Sequence, residues 1–297
     1  MSVPCYPDFI PLDIALKDSL HPRLSLTADG VSEFTFSGFY LFRDKYDYRI
    51  SRNITPDNDG EGGFIISGKQ NGKSFFMTPC EPPNDEILES LFETHDYWKN
   101  ISESVLFPVK EKLENNGIVF EEDRDNFDYL YLRSDLAELP GKKFHKKKNH
   151  VNNFLAAYPN HEQRQMSAQY VPAAIEILDR WRADRGEDGD YKAAREALDL
   201  FDTLTLKGSI FFIDGKPAAY CLGESIARGR MFAVHFEKAV DEYKGIYQYM
   251  NQAFSDLLPR FFTLINREQD LGNEGLRQAK MTYRPCGYVQ KYTGKKS

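Results

Sequence analysis

From residue 171 onwards the chain switches cleanly between helical segments with an apolar repeat of about 3.6 residues and short strand-like runs bounded by turns, which limits the folds open to it. Residues 171–185 read as a helix with Ile175, Leu178 and Trp181 on its apolar side, 185–189 as a turn, and 191–204 as a second helix. Residues 209–213 and 217–225 form a hairpin around Asp214-Gly215, and 230–236 extend the sheet. A helix over 243–258 turns Ile246, Met250, Ala253 and Leu257 inward; a strand at 260–266, a helix at 273–283 and a strand at 288–292 follow. This order predicts an α/β (α+β) layout, with helices flanking a mixed sheet.

The same order matches the GNAT acyltransferase fold: a meander, a helix, then a parallel strand beside the last meander strand. With 297 residues the chain is long enough for two domains. The first half contains a loop and short helix at 8–20, an aromatic-rich stretch at 32–50 whose rings suit core packing, and a polar, Gly-rich turn at 55–63. Short apolar runs at 63–67 and 74–78 flank Asn71-Gly72, a hairpin signal. Helices over 84–93 and 102–115 follow, the second with a stripe of Val105, Leu106, Val109 and Leu113, then strands at 118–120 and 126–133. Leu139-Pro140-Gly141 breaks the chain. The expected organisation is two tandem GNAT-like domains, a degenerate copy at 1–138 and one with the active cleft at 139–297.

Cys5, Cys80, Cys221 and Cys286 form no C-x-x-C pair, and the six histidines show no metal-ligand spacing, so no structural metal and no disulfide framework are expected. No stretch reaches the roughly 18 apolar residues of a membrane span and no signal peptide is evident, which predicts a soluble, cytoplasmic protein. The net charge of -7 conceals a local asymmetry. Residues 81–140 hold sixteen acids against five bases, whereas 141–150 hold five lysines and no acid, and 280–297 again five bases and no acid. Two basic segments in an acidic chain suggest a local anionic partner; a solvated helix face explains the first equally well.

On a helix, Phe144, Val151, Leu155 and Tyr158 share one face with Phe154 at its edge, and Lys142, Lys146, Asn149 and Asn153 share the opposite one. This basic segment is therefore read as an amphipathic helix with a cationic, amide-rich ridge.

Two stretches offer chemistry. At 235–246 a strand passes into a helix whose free N–H groups suit a phosphate; Glu237, Lys244 and Gly245 lie there. Coenzyme-A enzymes of this fold carry Arg/Gln-x-x-Gly-x-Gly/Ala at that junction, while this chain has one glycine followed by Ile246-Tyr247, so packing accounts for Gly245 as well as binding does. At 266–285, Asn266 precedes a carboxylate cluster of Glu268, Asp270 and Glu274 after an apolar strand, where open α/β sheets bind ligands. Glu274 reads as a helix-capping acid, whereas Glu268 and Asp270 fall in the loop and suit binding of an ammonium or proton abstraction. Cys221 reads as core. Direct transfer fits best, with the acceptor deprotonated by a carboxylate or by His235 and the leaving group met by Tyr247.

The pattern Gly141-Lys142-Lys143-x-x-Lys146-x-x-Asn149-His150-x-x-Asn153, together with 266–285, resembles the DUF2156 family, related to the C-terminal domain of phosphatidylglycerol lysyltransferases and more distantly to the Fem aminoacyltransferases. The resemblance covers nearly the whole chain. It implies transfer of an amino acid from aminoacyl-tRNA, a lysine-rich helix at 142–153, and a tRNA- and lipid-facing cleft near 237–245 and 266–272. Without a membrane domain, the acceptor extends to small molecules and peptides as well as a lipid head group. The expected function is acyl or aminoacyl transfer to an amine or hydroxyl. Lys142, Lys146, Lys147 and Asn149 would grip the donor, Glu237, Lys244, Gly245 and Asn266 would line the cleft, and Glu268, Asp270, His235 and Tyr247 would carry the chemistry. Acetyl-CoA-dependent N-acetylation and a non-catalytic RNA-binding or regulatory module are the alternatives.

Overall fold

A computed structural model describes residues 2–54, 62–186 and 188–297. Most of the polar turn at 55–63 lies outside them. Fourteen strands are defined among these residues: β1 (Ile10–Pro11), β2 (Arg49–Arg52), β3 (Phe64–Gln70), β4 (Lys73–Met77), β5 (Tyr97–Ser102), β6 (Ile118–Glu122), β7 (Asp128–Leu132), β8 (His161–Gln165), β9 (Lys207–Ile213), β10 (Lys216–Ile226), β11 (Met231–Ala239), β12 (Leu264–Asn266), β13 (Gly287–Val289) and β14 (Lys291–Lys296). They form two seven-stranded mixed sheets, ordered β1-β2-β3-β4-β5-β14-β6 and β13-β7-β12-β11-β10-β9-β8. The principal helices are α1 (Asp85–Thr94), α2 (His145–Ala157), α3 (Val171–Arg185), α4 (Tyr191–Asp199), α5 (Ile246–Leu257) and α6 (Glu274–Met281). Two tandem GNAT-like units result.

The units are not the two continuous halves 1–138 and 139–297. One comprises Met1–Asp128, Gln269–Gly272 and Tyr288–Ser297; the other comprises Tyr129–Glu268 and Asn273–Gly287. Backbone pairing is the cause. β14 lies between β5 and β6, with Tyr292 opposite both Ile101 and Glu122, so the last strand belongs to the first sheet. β7 pairs with β12 through Ile265↔Tyr131 and so belongs to the second. The strand expected at 288–292 is accordingly two strands, in different sheets.

In the first unit, Ile65, Phe76, Leu88, Leu91, Trp98, Ile101, Leu106 and Leu113 form one buried cluster. Phe34, Phe36 and Phe39 are also buried, so these rings pack in the core. The β3–β4 hairpin turns at Asn71-Gly72, both at positive φ (53° and 77°), as a tight hairpin of this twist requires. The helix expected over 102–115 is two short pieces, Glu103–Leu106 and Lys110–Asn115. β5 and β8 escape the apolar pattern: Tyr97–Ser102 carries Lys99 and Asn100, and His161–Gln165 is polar throughout at the sheet edge.

In the second unit, β9, β10 and β11 form the expected meander. β10 and β9 turn at Asp214-Gly215, where φ is 49° and 76°. The helix expected over 191–204 breaks at Leu200, and the strand at 260–266 shortens to three residues. Leu257 and Leu155, both placed inward by periodicity, are exposed, at 53% and 37%. Helix α2 instead buries Val151 and Phe154, and Phe154 stacks on Tyr249 of α5 at 4.6 Å.

Candidate functional site

The site forms where two parallel strands of the second unit part. β11 and β12 pair only at Met231↔Leu264, Phe232↔Ile265 and Ala233↔Asn266. β11 then runs six residues further while β12 ends, so the strands open a fork beyond Ala233 and Asn266. At this point β11 bulges: Val234 faces Gly223 and Phe236 faces Leu222, leaving His235 as the extra residue.

The bulge places His235 between two carboxylates. Its Nδ1 lies 2.6 Å from Glu268 Oε1 and its Nε2 3.1 Å from Glu224 Oε1. Both nitrogens face acceptors, so both carry hydrogen and the ring is an imidazolium. Burial works against the charge, but the hydrogen bonds and charges of Glu224 and Glu268 outweigh it and raise the pKa to about 10. At neutral pH His235 has no lone pair for a substrate proton. With both ring nitrogens turned to carboxylates, the geometry does not favour the expected role of His235 as a base.

Glu268 is the reachable carboxylate. Its side chain is 28% exposed, against 6% for Glu224 and for His235. Its backbone adopts φ of 57°, uncommon for a residue with a Cβ. The buried Asn266 side chain stabilises this turn by accepting from the Glu268 N–H at 2.7 Å. Lys280 of α6 donates to the carbonyls of Arg267 and Glu268. Beside it, half-buried Arg267 pairs with Glu237 at 2.5 Å and lies 5.1 Å from the Tyr283 ring.

The cationic ridge lies in the same unit. Lys142, Lys146, Lys147 and His150, joined by Thr282 and Arg284, line a groove of about 510 Å³. Lys142 and Lys146 are exposed, and Asn149 is bonded to its neighbour His145 at 3.2 Å. Lys147 is half-buried, 4.1 Å above the Tyr283 ring; burial and then the charge of Arg267 push its ammonium pKa down. Tyr283 thus touches both the groove and the fork residue Arg267.

Other expected residues lie elsewhere. Asp270 belongs to the first unit, fully buried, accepting from Gly272 N–H at 2.9 Å and pairing with Arg124 at 3.5 Å. Its carboxylate is consumed in holding its own loop, which does not fit a role at this fork. Tyr247 neighbours Arg185 and the backbone of Ala239 rather than His235; burial raises its hydroxyl above the usual phenol range, and Arg185 partly offsets this. Lys244 is exposed, and its N–H donates to the Tyr158 hydroxyl at 3.3 Å. Gly245 caps α5 at φ of 92°, and a methyl there would stand 3.1 Å from the His150 carbonyl and 3.3 Å from Phe154 Cβ. This glycine lets α2 close on the end of α5, and the helix fills the space beside the proposed phosphate seat. Cys221 is buried and its thiol is pushed well up by burial, in keeping with core. Glu224 was missed; Arg267, Lys280 and Tyr283 lie inside the 266–285 motif, but sequence reasoning assigned them no individual role.

The profile of the family described as phosphatidylglycerol lysyltransferase, C-terminal, matches residues 24–294. The chain belongs to that family. A conserved protein of unknown function from Bacteroides thetaiotaomicron is 28% identical, superimposes with a TM-score of 0.85, and the match covers 97% of this chain and 99% of that one. The C-terminal domain (DUF2156) of a protein described as a lysylphosphatidylglycerol synthetase from Agrobacterium fabrum is 13% identical with a TM-score of 0.64, over 96% and 91% of the two chains. L-PGS from Bacillus licheniformis is 12% identical with a TM-score of 0.60, over 100% and 94%. These two share the fold. An uncharacterised curated protein of Mycoplasmoides gallisepticum is 23% identical over 181 residues, 59% of this chain and 57% of that protein, so the chain matches just over half of its length. Among the described residues no helix is long and apolar enough to cross a membrane.

In this family member the charged triad leads to a pH prediction. An imidazole held at about 10 in the fold, and near 6.5 when unfolded, binds its proton more tightly when folded. Its contribution is complete below about pH 6.5 and is lost as the pH rises through about 10. Urea unfolding of His235→Gln beside the parent chain should show a stability gap of up to a few kcal/mol near pH 6 that narrows by pH 10. A gap constant over this range would mean that His235 is neutral.

Proposed function

We propose that the second unit transfers an acyl group, most specifically an aminoacyl group carried by tRNA, to an amine or hydroxyl acceptor at the β11/β12 fork. The observation that carries the reading is the accessible Glu268 carboxylate, held in a strained turn by a charged, buried His235. Such a carboxylate accepts a proton while its partner does not compete for it. As the acceptor nitrogen or oxygen bonds to the ester carbonyl carbon, its proton passes to Glu268. The ester C–O bond then breaks, and Glu268 returns the proton to the departing hydroxyl oxygen. Neither a covalent enzyme intermediate nor a cysteine is required.

The groove of Lys142, Lys146 and Lys147 supports a phosphodiester-bearing donor. Coenzyme A is the weaker candidate, because α2 packs against Gly245 where its phosphates would be received. The acceptor, whether a small molecule, a peptide or a lipid head group, is defined here by its nucleophile alone.

The test measures transfer of radiolabelled amino acid from charged tRNA to candidate acceptors, alongside thermal shifts with charged tRNA and with coenzyme A. Stabilisation by coenzyme A alone overturns the donor assignment. RNA binding without transfer from any charged tRNA favours a non-catalytic RNA-binding module. In the parent chain, log affinity for tRNA should fall with log salt at a slope of about -3 to -4, and Lys142→Ala with Lys146→Ala should flatten it by about 1 to 2. An unchanged slope removes the groove from the donor path.

A further inference from the structure

The first unit contains a second fork. β4 and β5 run parallel and pair only at Phe75↔Tyr97 and Phe76↔Trp98. Two residues past the last pair stands Asn100, at φ of 56°; two residues past the last β11/β12 pair stands Glu268, at φ of 57°. The residue between is a cation in both units, buried Lys99 in the first and half-buried Arg267 in the second. The forks are therefore copies of one device, with different chemistry at the key position. Asn100 replaces the carboxylate and gives its amide hydrogen to Glu33 at 3.1 Å.

The cations also differ in their partners. Arg267 is neutralised by Glu237. Lys99 donates to the uncharged Gln70 Oε1 at 2.5 Å, and its ammonium lies 4.9 Å from the Phe75 ring and 5.4 Å from the Tyr46 ring. Burial pushes the Lys99 ammonium pKa down, and the charges of Glu33 and Asp123 offset this only in part. Gln70 and Tyr46 also line a pocket of about 500 Å³ within the first unit, bordered by Lys45 and Lys69 and by Asp123 and Asp125. This volume suits a small molecule. A simple anion there would meet Asp123 and Asp125, and a simple cation would meet the lysines.

We propose that this pocket binds a small zwitterion, its carboxylate or phosphate directed to Lys45, with the buried Lys99 behind Gln70 and Tyr46 adding positive charge, and its ammonium to Asp123 and Asp125. The copy in the first unit is a binding site without proton transfer, because its fork carries Asn100 where the other carries Glu268. Lys45 and Asp125 are exposed and Asp123 is half-buried, so they can be changed without opening the core.

Calorimetric titration of the full chain with L-alanine and with phosphoethanolamine tests this, with inorganic phosphate and ethylammonium as single-charge controls. Saturable binding of at least one zwitterion is expected, weakened at least tenfold by Lys45→Ala and by Asp123→Asn; the stronger zwitterion identifies the anionic end. Lys99→Met should weaken binding by less than Lys45→Ala while the Tm stays level or rises, which a purely structural lysine would not allow. Binding of no probe, equal binding of phosphate alone, or affinity untouched by Lys45→Ala and Asp123→Asn overturns the proposal. The proposed transfer residues Glu268, Lys142 and Lys146 are unaltered in these variants, so failure here leaves the transferase reading standing, and the reverse holds.

Discussion

Glu268→Gln should lower transfer by roughly 10²- to 10⁴-fold, the range expected when a positioned acid–base group is removed. Glutamine keeps the length of the side chain and an oxygen to accept from His235, but it cannot accept the acceptor's proton. The far-UV spectrum and the tRNA salt slope should be unchanged, which separates lost chemistry from lost folding or donor binding. Glu224→Gln is the informative partner. It also removes one of the two carboxylates holding His235 at about 10, but leaves Glu268 in place. Its pKa for His235 should therefore fall, giving a smaller loss of rate and an alkaline limb displaced to lower pH. Retention of more than a tenth of parental activity by Glu268→Gln would remove the carboxylate as the base.

Lys291→Met should destabilise the chain by about 3–5 kcal/mol, the range for removing one partner of a buried ion pair. Lys291 is fully buried and reaches Glu33 at 2.5 Å and Asp128 at 2.8 Å. Burial alone would lower its pKa, but Asp128 and then Glu33 outweigh it and hold the ammonium charged. Asp128, also fully buried, accepts from the Ser32 N–H and hydroxyl at 2.8 and 2.9 Å. Without the lysine its charge is left poorly compensated. Lys295→Ala supplies the contrast: four residues along β14, its exposed pair with Glu121 at 3.1 Å should contribute under about 1 kcal/mol. Urea denaturation measures both, and a loss below about 1 kcal/mol for Lys291→Met would mean that its interactions barely exceed the cost of its burial.

The second unit's plan was legible because its central strands are near-continuous apolar runs and its hairpin turns at Asp214-Gly215, where local chemistry and tertiary structure agree. β14 was not. Lys291–Lys296 has too few apolar residues to reveal its sheet, and its partners lie some 170 to 195 positions earlier. β5 was hidden by Lys99 and Asn100, polar residues that a sequence pattern assigns to solvent and that the fold buries. At the site, Glu268 stood out as a carboxylate just past a strand, and Asp270 looked equivalent. Only burial separates them, since Asp270 faces Arg124 and its own turn while Glu268 keeps an open edge. The charge on His235 was equally invisible, because it depends on Glu224 across a bulged strand pair.

The position of β14 also affects how this chain can be made. During synthesis β5 and β6 emerge long before residues 291–296, so the first sheet lacks the strand between them, and Asp128 lacks Lys291, until residues 291–296 have left the ribosome. The first unit is therefore begun first but cannot be completed first, and the nascent chain carries two unpaired strand edges through the making of the second. A C-terminal truncation should consequently damage the unit at the opposite end of the sequence.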